Sequence, residues 1–336
     1  MNTCYIPEGY RPALERYDLQ RAIEFVKSGF QENLKLALNL RRVSAPLFVE
    51  RGTGLNDDLS GAERPVAFDI PAASAAGEVV HSLAKWKRLA LQRYGFRPGT
   101  GLYTDMNAIR RDERSLDNLH SVYVDQWDWE KIILPEERNA AALQSAVRSI
   151  VGAVCDTSEA LGRAFPQLDV SLERHVTFLT SQELEDRYPD LSPGEREDAA
   201  VREHKTVFLM GIGAPLRSGK PHDLRAPDYD DWALNGDILL WDAVLERTCE
   251  ISSMGIRVDA EGLRRQLDFA GCPERAGLPF HRMLLDGELP LTMGGGIGQS
   301  RLCKLMTGCC HIGEVQASLW DKETLRVCRE AGVPLL

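Results

Sequence analysis

The run Gly294-Gly295-Gly296-Ile297-Gly298-Gln299-Ser300-Arg301 sets an arginine at the end of a glycine-dense segment. A backbone with so little side chain can approach a phosphate-bearing ligand closely and aim its amides at it, although a plain turn has the same composition. Asp57 and Asp58 sit in the polar, glycine-rich stretch 52–61, where adjacent carboxylates suit an ammonium group and a surface turn is the ordinary alternative. His81 to Arg88 carries Lys85, Lys87 and Arg88. Such residues usually form a solvated face, whereas a lysine aimed into a cleft binds carboxylate or phosphate. In the strand-like run Ser121 to Glu130, Val122, Val124, Gln126 and Asp128 share one face, and Tyr123, Asp125, Trp127 and Trp129 share the other. Burying Gln126 and Asp128 unpaired costs on the order of a few kcal/mol each, so a polar group of protein or ligand must meet them. Ser253, Gly255 and Arg257 fall on one face of a later strand and leave room for a ligand under the guanidinium. His222 to Trp232 concentrates Asp223, Arg225, Asp228, Asp230 and Asp231 in a loop, a density shared by solvated loops and binding sites.

The elements that must position these groups follow from periodicity. From Asp18, Leu19, Ile23, Val26, Phe30, Leu34 and Ala37 recur at helical spacing and predict an amphipathic helix of roughly twenty residues. Pro46 then forces an extended segment. Strands are expected at 66–70, 78–80, 101–110 and 121–130, with a helix opening at His81 to Arg88. A long scaffold helix spans Asn139 to Phe165, and Ser192-Pro193-Gly194-Glu195 is a capping box with proline at the first helical position. Val207 to Ile212 reads as a buried strand, Asp237–Trp241 and Cys249–Val258 as an antiparallel pair, and Asp259 as the cap of a helix reaching about Ala270.

Composition bounds the function. The chain has 336 residues, 43% hydrophobic and 27% charged, as in ordinary globular enzymes. Its net charge of -10 argues against a broad nucleic-acid footprint. No apolar run approaches the roughly 18–20 residues that span a bilayer, and the start lacks a secretory pattern, so no membrane association is expected and a cytoplasmic location is. The eight cysteines contain no Cys-x-x-Cys, which favours reduced, buried thiols. Cys309-Cys310-His311 is better explained by a helix-to-loop segment than by metal.

The order of helix, strand with Pro46, strand-loop-strand with Arg110, strand with Glu250 and Arg257, and glycine segment with Arg301 resembles the signature motifs of class II aminoacyl-tRNA synthetases. Within that fold, Asp57 to Gly61, His81 to Arg88, His120 to Glu130, Arg225 to Trp232, Asn235-Gly236-Asp237 and Ser252 to Arg257 look like the bacterial ammonia-dependent asparagine synthetases (aspartate-ammonia ligases). The resemblance runs nearly end to end and is looser over the first twenty residues and from Pro135 to His175. Two departures stand out: the Trp232–Asn235 link is shorter than the family's glycine-containing loop, and Asp58 replaces a more usual asparagine.

The resemblance implies an α+β fold with an antiparallel sheet flanked by helices, as a single catalytic domain over 1–336 with a helical insertion at about 135–205. It implies conversion of L-aspartate, ATP and ammonia to asparagine, AMP and diphosphate through a β-aspartyl adenylate. Arg257 would clamp a substrate carboxylate, while Asp57, Gln126, Asp128 and Ser253 would bind the amino group and orient the amino acid. Lys87 would offset the charge of the reacting carboxylate. Arg110 would bridge that carboxylate and the α-phosphate, Gly296 would lie against ATP, and Arg301 would hold its far end. Asp237 and Glu250 would ligate Mg2+, and Asp230 would position ammonia.

Free ammonia is the expected nitrogen source, since Cys4 is not an amino-terminal nucleophile and little chain is left for an amidase domain. The rivals are a true aminoacyl-tRNA synthetase, against which the acidic charge speaks, and a silent sensor of asparagine or aspartate, against which Arg110, Glu250 and Arg301 speak. The fold implies a homodimer in which the first helix and the strand reaching Pro46 meet their symmetry mates.

Overall fold

The computed structural model describes residues 4–59, 63–113 and 115–336. Ser60 and Gly61 of the first motif, and Arg114, lie outside these residues. Helix α1, Arg16–Leu38, is followed by strands β1 (Leu40–Arg42), β2 (Phe48–Glu50), β3 (Ala67–Ile70) and β4 (Ala75–Val79). Next come α2 (Ala84–Arg93), β5 (Gly101–Ile109), β6 (Tyr123–Ile132) and α3 (Ala140–Ala164). Then follow β7 (Thr177–Thr180), α4 (Ser181–Arg187), α5 (Pro193–His204), β8 (Thr206–Met210), β9 (Asp230–Asp242) and β10 (Arg247–Arg257). The last elements are α6 (Ala260–Phe269), α7 (Pro279–Leu285), β11 (Thr292–Gly298), α8 (Gln299–Thr307) and α9 (Lys322–Glu330).

Eight strands form one sheet in the order β1-β5-β6-β11-β10-β9-β8-β7, and β2-β4-β3 form a small second sheet. The centre of the large sheet is antiparallel, and among the described residues only the edge pairs β1–β5 and β7–β8 are parallel. The segment 135–205 supplies α3, α4 and α5 and, through β7, an edge of that sheet.

One face of the sheet carries the main core. The apolar stripe of α1, with Ala22, Val26, Phe30 and Leu34, packs with Val147, Ile150 and Val154 of α3 and with Trp127 and Trp129 of β6. Phe30 and Trp127 meet at 4.7 Å between ring centroids. Each such large apolar side chain contributes roughly 1.5–3 kcal/mol by burial, so this layer fixes the sheet from behind. The alternation read in β6 then dictates that Gln126 and Asp128 point to the opposite face.

Local capping follows the sequence. Asp259 accepts from the amide of Gly262 at the start of α6, and the box of Ser192 and Glu195 opens α5 with Pro193 at its first position. The helix expected from His81 begins at Ala84, because His81 and the residues before it are held by the 52–59 loop: its amide donates to Asn56 Oδ1 at 2.9 Å. Among the described residues no helix is long and apolar enough to cross a membrane.

Candidate active site

The glycine segment expected as a turn is a strand in the middle of the sheet. Gly294, Gly296 and Gly298 of β11 stand opposite Glu130, Asp128 and Gln126 of β6. A Cβ on Gly294 would lie 1.9 Å from Glu130 Oε2, and one on Gly296 would lie 2.4 Å from Gln126 Oε1 and 2.7 Å from Asp128 Oδ1. The missing side chains therefore make space for a polar row on the neighbouring strand, which is a steric demand rather than a turn signal. Across the sheet, Asp237, Ser253, Gly296 and Asp128 pair in one line.

Above this face lies a cavity of about 480 Å³. Asp57, Lys87, Arg110, Gln126, Asp128, Asp230, Glu250, Ser253, Arg257, Gly296 and Arg301 all line it. These are the sequence-expected residues with one exception, Asp237. Its carboxylate is ion-paired to Arg225, a cavity-lining residue to which the sequence assigned no role.

At one end, Arg257 is almost fully buried between two acids. Its Nε and Nη2 donate to Glu130 at 2.7–3.2 Å, and its Nη1 donates to Asp230. Burial favours neutral Arg257, but Glu130 and Asp230 more than offset it and raise its pKa. Burial also opposes the charge on Glu130, yet Arg257 brings its pKa below the ordinary value. For Asp230 burial wins, and its pKa is raised. Of the two acids sharing one guanidinium, Glu130 is thus the firm counterion and Asp230 the one nearer to protonation. A guanidinium has five N–H groups; those bonds take one each from Nε, Nη2 and Nη1, leaving one on each terminal nitrogen.

Lys87 is buried beside this pair, with Nζ 2.9 Å from Asp128 Oδ2 and donating at 2.9 Å to the carbonyl of Gly295. Burial lowers its pKa and Asp128 offsets part of that effect. The other Asp128 oxygen, Oδ1, is buried without a hydrogen-bond partner. Asp57 accepts from Ser82 Oγ at 2.9 Å and from the Leu59 amide at 2.8 Å, which fixes its carboxylate at the wall. Asp58 points elsewhere, to Arg275 at 2.9 Å.

On α2 and in the 222–229 loop, Lys85 and Asp228 are structural rather than solvated, while Asp223 of the same loop stays exposed. Buried Lys85 pairs with Asp228 at 2.8 Å, and Asp228 also bonds His281 Nε2 at 2.9 Å. This anchors the chain entering β9, which places Tyr229 and Asp230 at the cavity. The Asp230–Trp232 part of the expected loop is already strand: residues 230–242 run as one strand, whose register against β10 shifts between Gly255 and Arg257.

At the other end, Arg301 Nη1 donates to the Glu250 carbonyl at 2.9 Å and lies 3.5 Å from its carboxylate. Arg110, just past the end of β5, has a buried Nε with no hydrogen-bond partner among the described residues. His120 lines the same wall and bonds Asp117 at 2.8 Å. Asp237 is pushed up to about 7, first by burial, against Arg225, with the Glu250 charge adding to the rise. Its Oδ1 is buried without a partner.

Sequence reasoning missed Glu130 as the partner of Arg257, although it continues the period-two face of Gln126 and Asp128 and was there to be read. Arg225 carried no such signal, because its partner Asp237 is twelve residues on and across a strand.

The family described as Aspartate-ammonia ligase matches residues 17–332. An aspartate–ammonia ligase of Lactobacillus johnsonii is 58% identical over 336 residues, spanning 99% of this chain and 100% of the relative. One from Clostridium perfringens is 56% identical over 337 residues and spans 100% of both. Among solved structures, asparaginyl-tRNA synthetase from Pyrococcus horikoshii complexed with asparaginyl-adenylate superposes with a TM-score of 0.64 at 15% identity, covering 91% of this chain and 70% of that one. Aspartyl tRNA synthetase from Entamoeba histolytica does so with a TM-score of 0.61 at 16% identity, covering 91% and 58%. These two likenesses establish the class II synthetase fold. The family match and the relatives, more than half identical along nearly the whole length, establish that this chain belongs to the aspartate-ammonia ligase family.

Proposed function

We propose that this chain makes asparagine from L-aspartate, ATP and ammonia, releasing AMP and diphosphate. The observation that carries the reading is one cavity lined both by an unpartnered carboxylate oxygen, Asp128 Oδ1, beside Lys87 and Arg257, and by an arginine with an unpartnered donor, Arg110 Nε. The first end suits an amino acid and the second suits phosphate.

Aspartate binds with its α-carboxylate on the two N–H groups left on Arg257, a bidentate contact. Its α-ammonium meets Asp57, Gln126, Asp128 and Ser253. Lys87 balances the charge of the β-carboxylate as one of its oxygens attacks the α-phosphorus of ATP. The bond from that phosphorus to the bridging oxygen breaks, and diphosphate leaves. Arg110 spans the attacking carboxylate and the α-phosphate, so its charge is matched to the transition state rather than to either reactant. Arg301 holds the far end of ATP, and bare Gly296 lets the nucleotide approach the sheet. Ammonia then attacks the β-carbonyl carbon, AMP leaves, and the nitrogen loses a proton. Asp230, whose pKa is raised by burial, orients ammonia and takes that proton.

Asp237 and Glu250 are the residues that would hold Mg2+. Glu250 lines the cavity; Asp237 does not and gives its Oδ2 to Arg225, so the fit rests on its unpartnered Oδ1 and on the repulsion between the two carboxylates, both hard oxygen donors. When bound, the ion supplies neutralisation of phosphate charge.

We further propose that the chain works as a homodimer. The apolar face of α1 is taken up by α3 within the chain, and the surface we assign to a mate is the edge strand β1 together with the exposed Leu36 of α1, Leu47, and Phe48 of β2. A monomer in light scattering at micromolar concentration would overturn this.

The test of the activity is AMP release from ATP and aspartate, with and without ammonium, with glutamine and tRNA as separate controls. Turnover that requires both aspartate and ammonium supports the ligase. Absence of AMP together with tight asparagine binding would mean a sensor.

A further inference from the structure

Outside the cleft, three groups from distant parts of the sequence meet where the first described residues cross the C-terminal helix. Cys4 Sγ and Cys328 Sγ, the latter on α9, are 4.0 Å apart. A ring nitrogen of His311 lies within 4.8 Å of both sulfurs. None of the eight cysteines is in a disulfide. The Asn118 side chain holds the neighbouring segment in place: it accepts from the Tyr5 amide at 3.0 Å and donates to the carbonyls of Tyr5 and Cys310 at 2.7 and 2.8 Å. His311 is fully buried, with its ring edge-on to Trp320 at 4.7 Å.

Two thiols and an imidazole could serve a thiophilic metal ion or thiol chemistry, and the proton on the ring decides between them. His311 Nδ1 accepts the backbone N–H of Gly313 at 3.0 Å. Its lone pair is engaged, so the proton of the neutral ring sits on Nε2. Nε2 is buried with no hydrogen-bond partner. A ring held this way offers a sulfur an N–H donor, whereas a metal would need a lone pair, which a ligating histidine usually provides while donating from its other nitrogen.

We propose that Cys4 and Cys328 are a reversible redox couple, with Cys4 the attacking thiolate and Cys328 the resolving thiol, and with a low-molecular-weight disulfide such as oxidised glutathione as the oxidant. Cys4 thiolate attacks one glutathione sulfur, the glutathione S–S bond breaks, and one glutathione thiolate leaves. Cys328 then loses its proton to solvent and attacks Cys4 Sγ, releasing the second glutathione thiolate, which takes up a proton. Two protein thiols are oxidised and one small disulfide is reduced to two thiols.

The order of roles follows from the surroundings. Cys4 is partly exposed and Cys328 is buried, so the reagent reaches Cys4 first. The contact can be donated from either sulfur; with Cys328 as donor, it draws the Cys4 pKa down, with His311 adding to this, while the same bond and burial push Cys328 up. Closing the gap to the usual S–S length of about 2.05 Å moves the partly exposed residue-4 segment rather than the packed helix. The bond would tie that segment to α9 beside residues 309–314, whose Ile312 amide bonds the carbonyl of Asn118 at 2.9 Å.

The experiment treats the reduced full-length protein with oxidised glutathione and maps its peptides by mass without reduction. The expected product is a Cys4–Cys328 linked peptide, reversed by a thiol reductant, with a rise of several degrees in thermal midpoint. Cys328→Ser should trap a stable glutathione adduct on Cys4, and Cys328→Ala serves the same purpose if the serine variant folds poorly. Cys4→Ser should give neither product. His311→Gln should move the pH profile of Cys4 alkylation upward, a shift that a merely structural role would not produce. Links that scatter over Cys303, Cys309 and Cys310, or the absence of any link, would overturn the proposal. So would one equivalent of zinc in the purified protein that is lost in Cys4→Ser, which would assign the cluster to metal.

Discussion

The two ends of the cleft are built on different principles. At the Arg257 end the paired charges are carried by strands and a packed helix and are buried: Arg257 with Glu130 and Asp230, and Lys87 with Asp128, while Asp57, in the 52–59 loop, is buried and held by Ser82 and the Leu59 amide. At the Arg301 end Arg110 and Arg301 sit at element ends and, apart from the buried Asp237–Arg225 pair, the charges are more open. The Arg301 and Glu250 side chains are 23% and 42% exposed, and Arg110 keeps an unpartnered Nε. Charges that neutralise each other inside a protein must be assembled during folding, because an unpaired buried ion is costly. Charges left open can wait for a ligand. The amino-acid end is therefore part of the folding problem, and the nucleotide end is completed by what it binds.

That difference makes substitutions at the two ends diverge. Arg257→Gln removes the clamp and strands Glu130 as a buried charge. Urea unfolding should lose about 3–5 kcal/mol, and kcat/KM for aspartate should fall on the order of 10³-fold or more. Unchanged stability would break the comparison, since it would mean that Glu130 is not held by Arg257. Arg110→Ala should cut kcat by about 10²–10³-fold, the usual cost of losing one preorganised donor. Its unfolding free energy should stay within about 0.5 kcal/mol. A large loss of stability there would show that the nucleotide end is also prewired.

A finer probe uses two glycines of one strand. Gly296→Ala puts a Cβ 2.4 Å from Gln126 Oε1 and 2.7 Å from Asp128 Oδ1, while at Gly298 the nearest contact is Arg301 Cβ at 3.3 Å. Overpacking of the first kind typically costs about 1–3 kcal/mol. Steady-state kinetics of Gly296→Ala should show the KM for aspartate raised roughly 10- to 100-fold. Gly298→Ala should alter aspartate KM by less than about threefold. Equal effects at the two positions would remove the steric reason for the glycine row.

Much of this architecture was legible because it is local. The alternation of β6 announced which face holds Gln126 and Asp128, the α1 stripe announced a packed helix, and Asp259 and Ser192 announced helix starts. The motifs carried the rest of the cavity. What stayed hidden depends on contacts between distant strands. The glycines of β11 read as a turn because nothing local distinguishes a flexible glycine from one squeezed against Glu130 and Met254. Lys85 read as solvated because its partner Asp228 is 143 residues away. The meeting of Cys4, His311 and Cys328 has no sequence signature, since no two of them are near neighbours in the chain.

The smallest effect tests the comparison inside the amino-acid end, where two buried aspartates two positions apart should titrate with opposite signs. Asp228 has Lys85 and His281 to itself, and although burial opposes it, their charge and bonds hold its pKa well below the usual range. Its unfolded value is about 3.9, so the stability it contributes is present above that pH and is lost as the pH falls below it. Asp230 shares one guanidinium with Glu130, and burial raises its pKa. Above about pH 4 the folded chain then keeps a proton that the unfolded chain has released, and stability falls as the pH climbs toward the raised value. Each slope is limited to about 1.4 kcal/mol per pH unit for a single group. Urea unfolding from pH 3 to pH 8 should show Asp228→Asn flattening the acid limb and Asp230→Asn flattening the limb above pH 4. If both variants altered the same limb, the unequal division of Arg257 between Glu130 and Asp230 would be wrong, and with it the assignment of Asp230 as the group that takes the proton from ammonia.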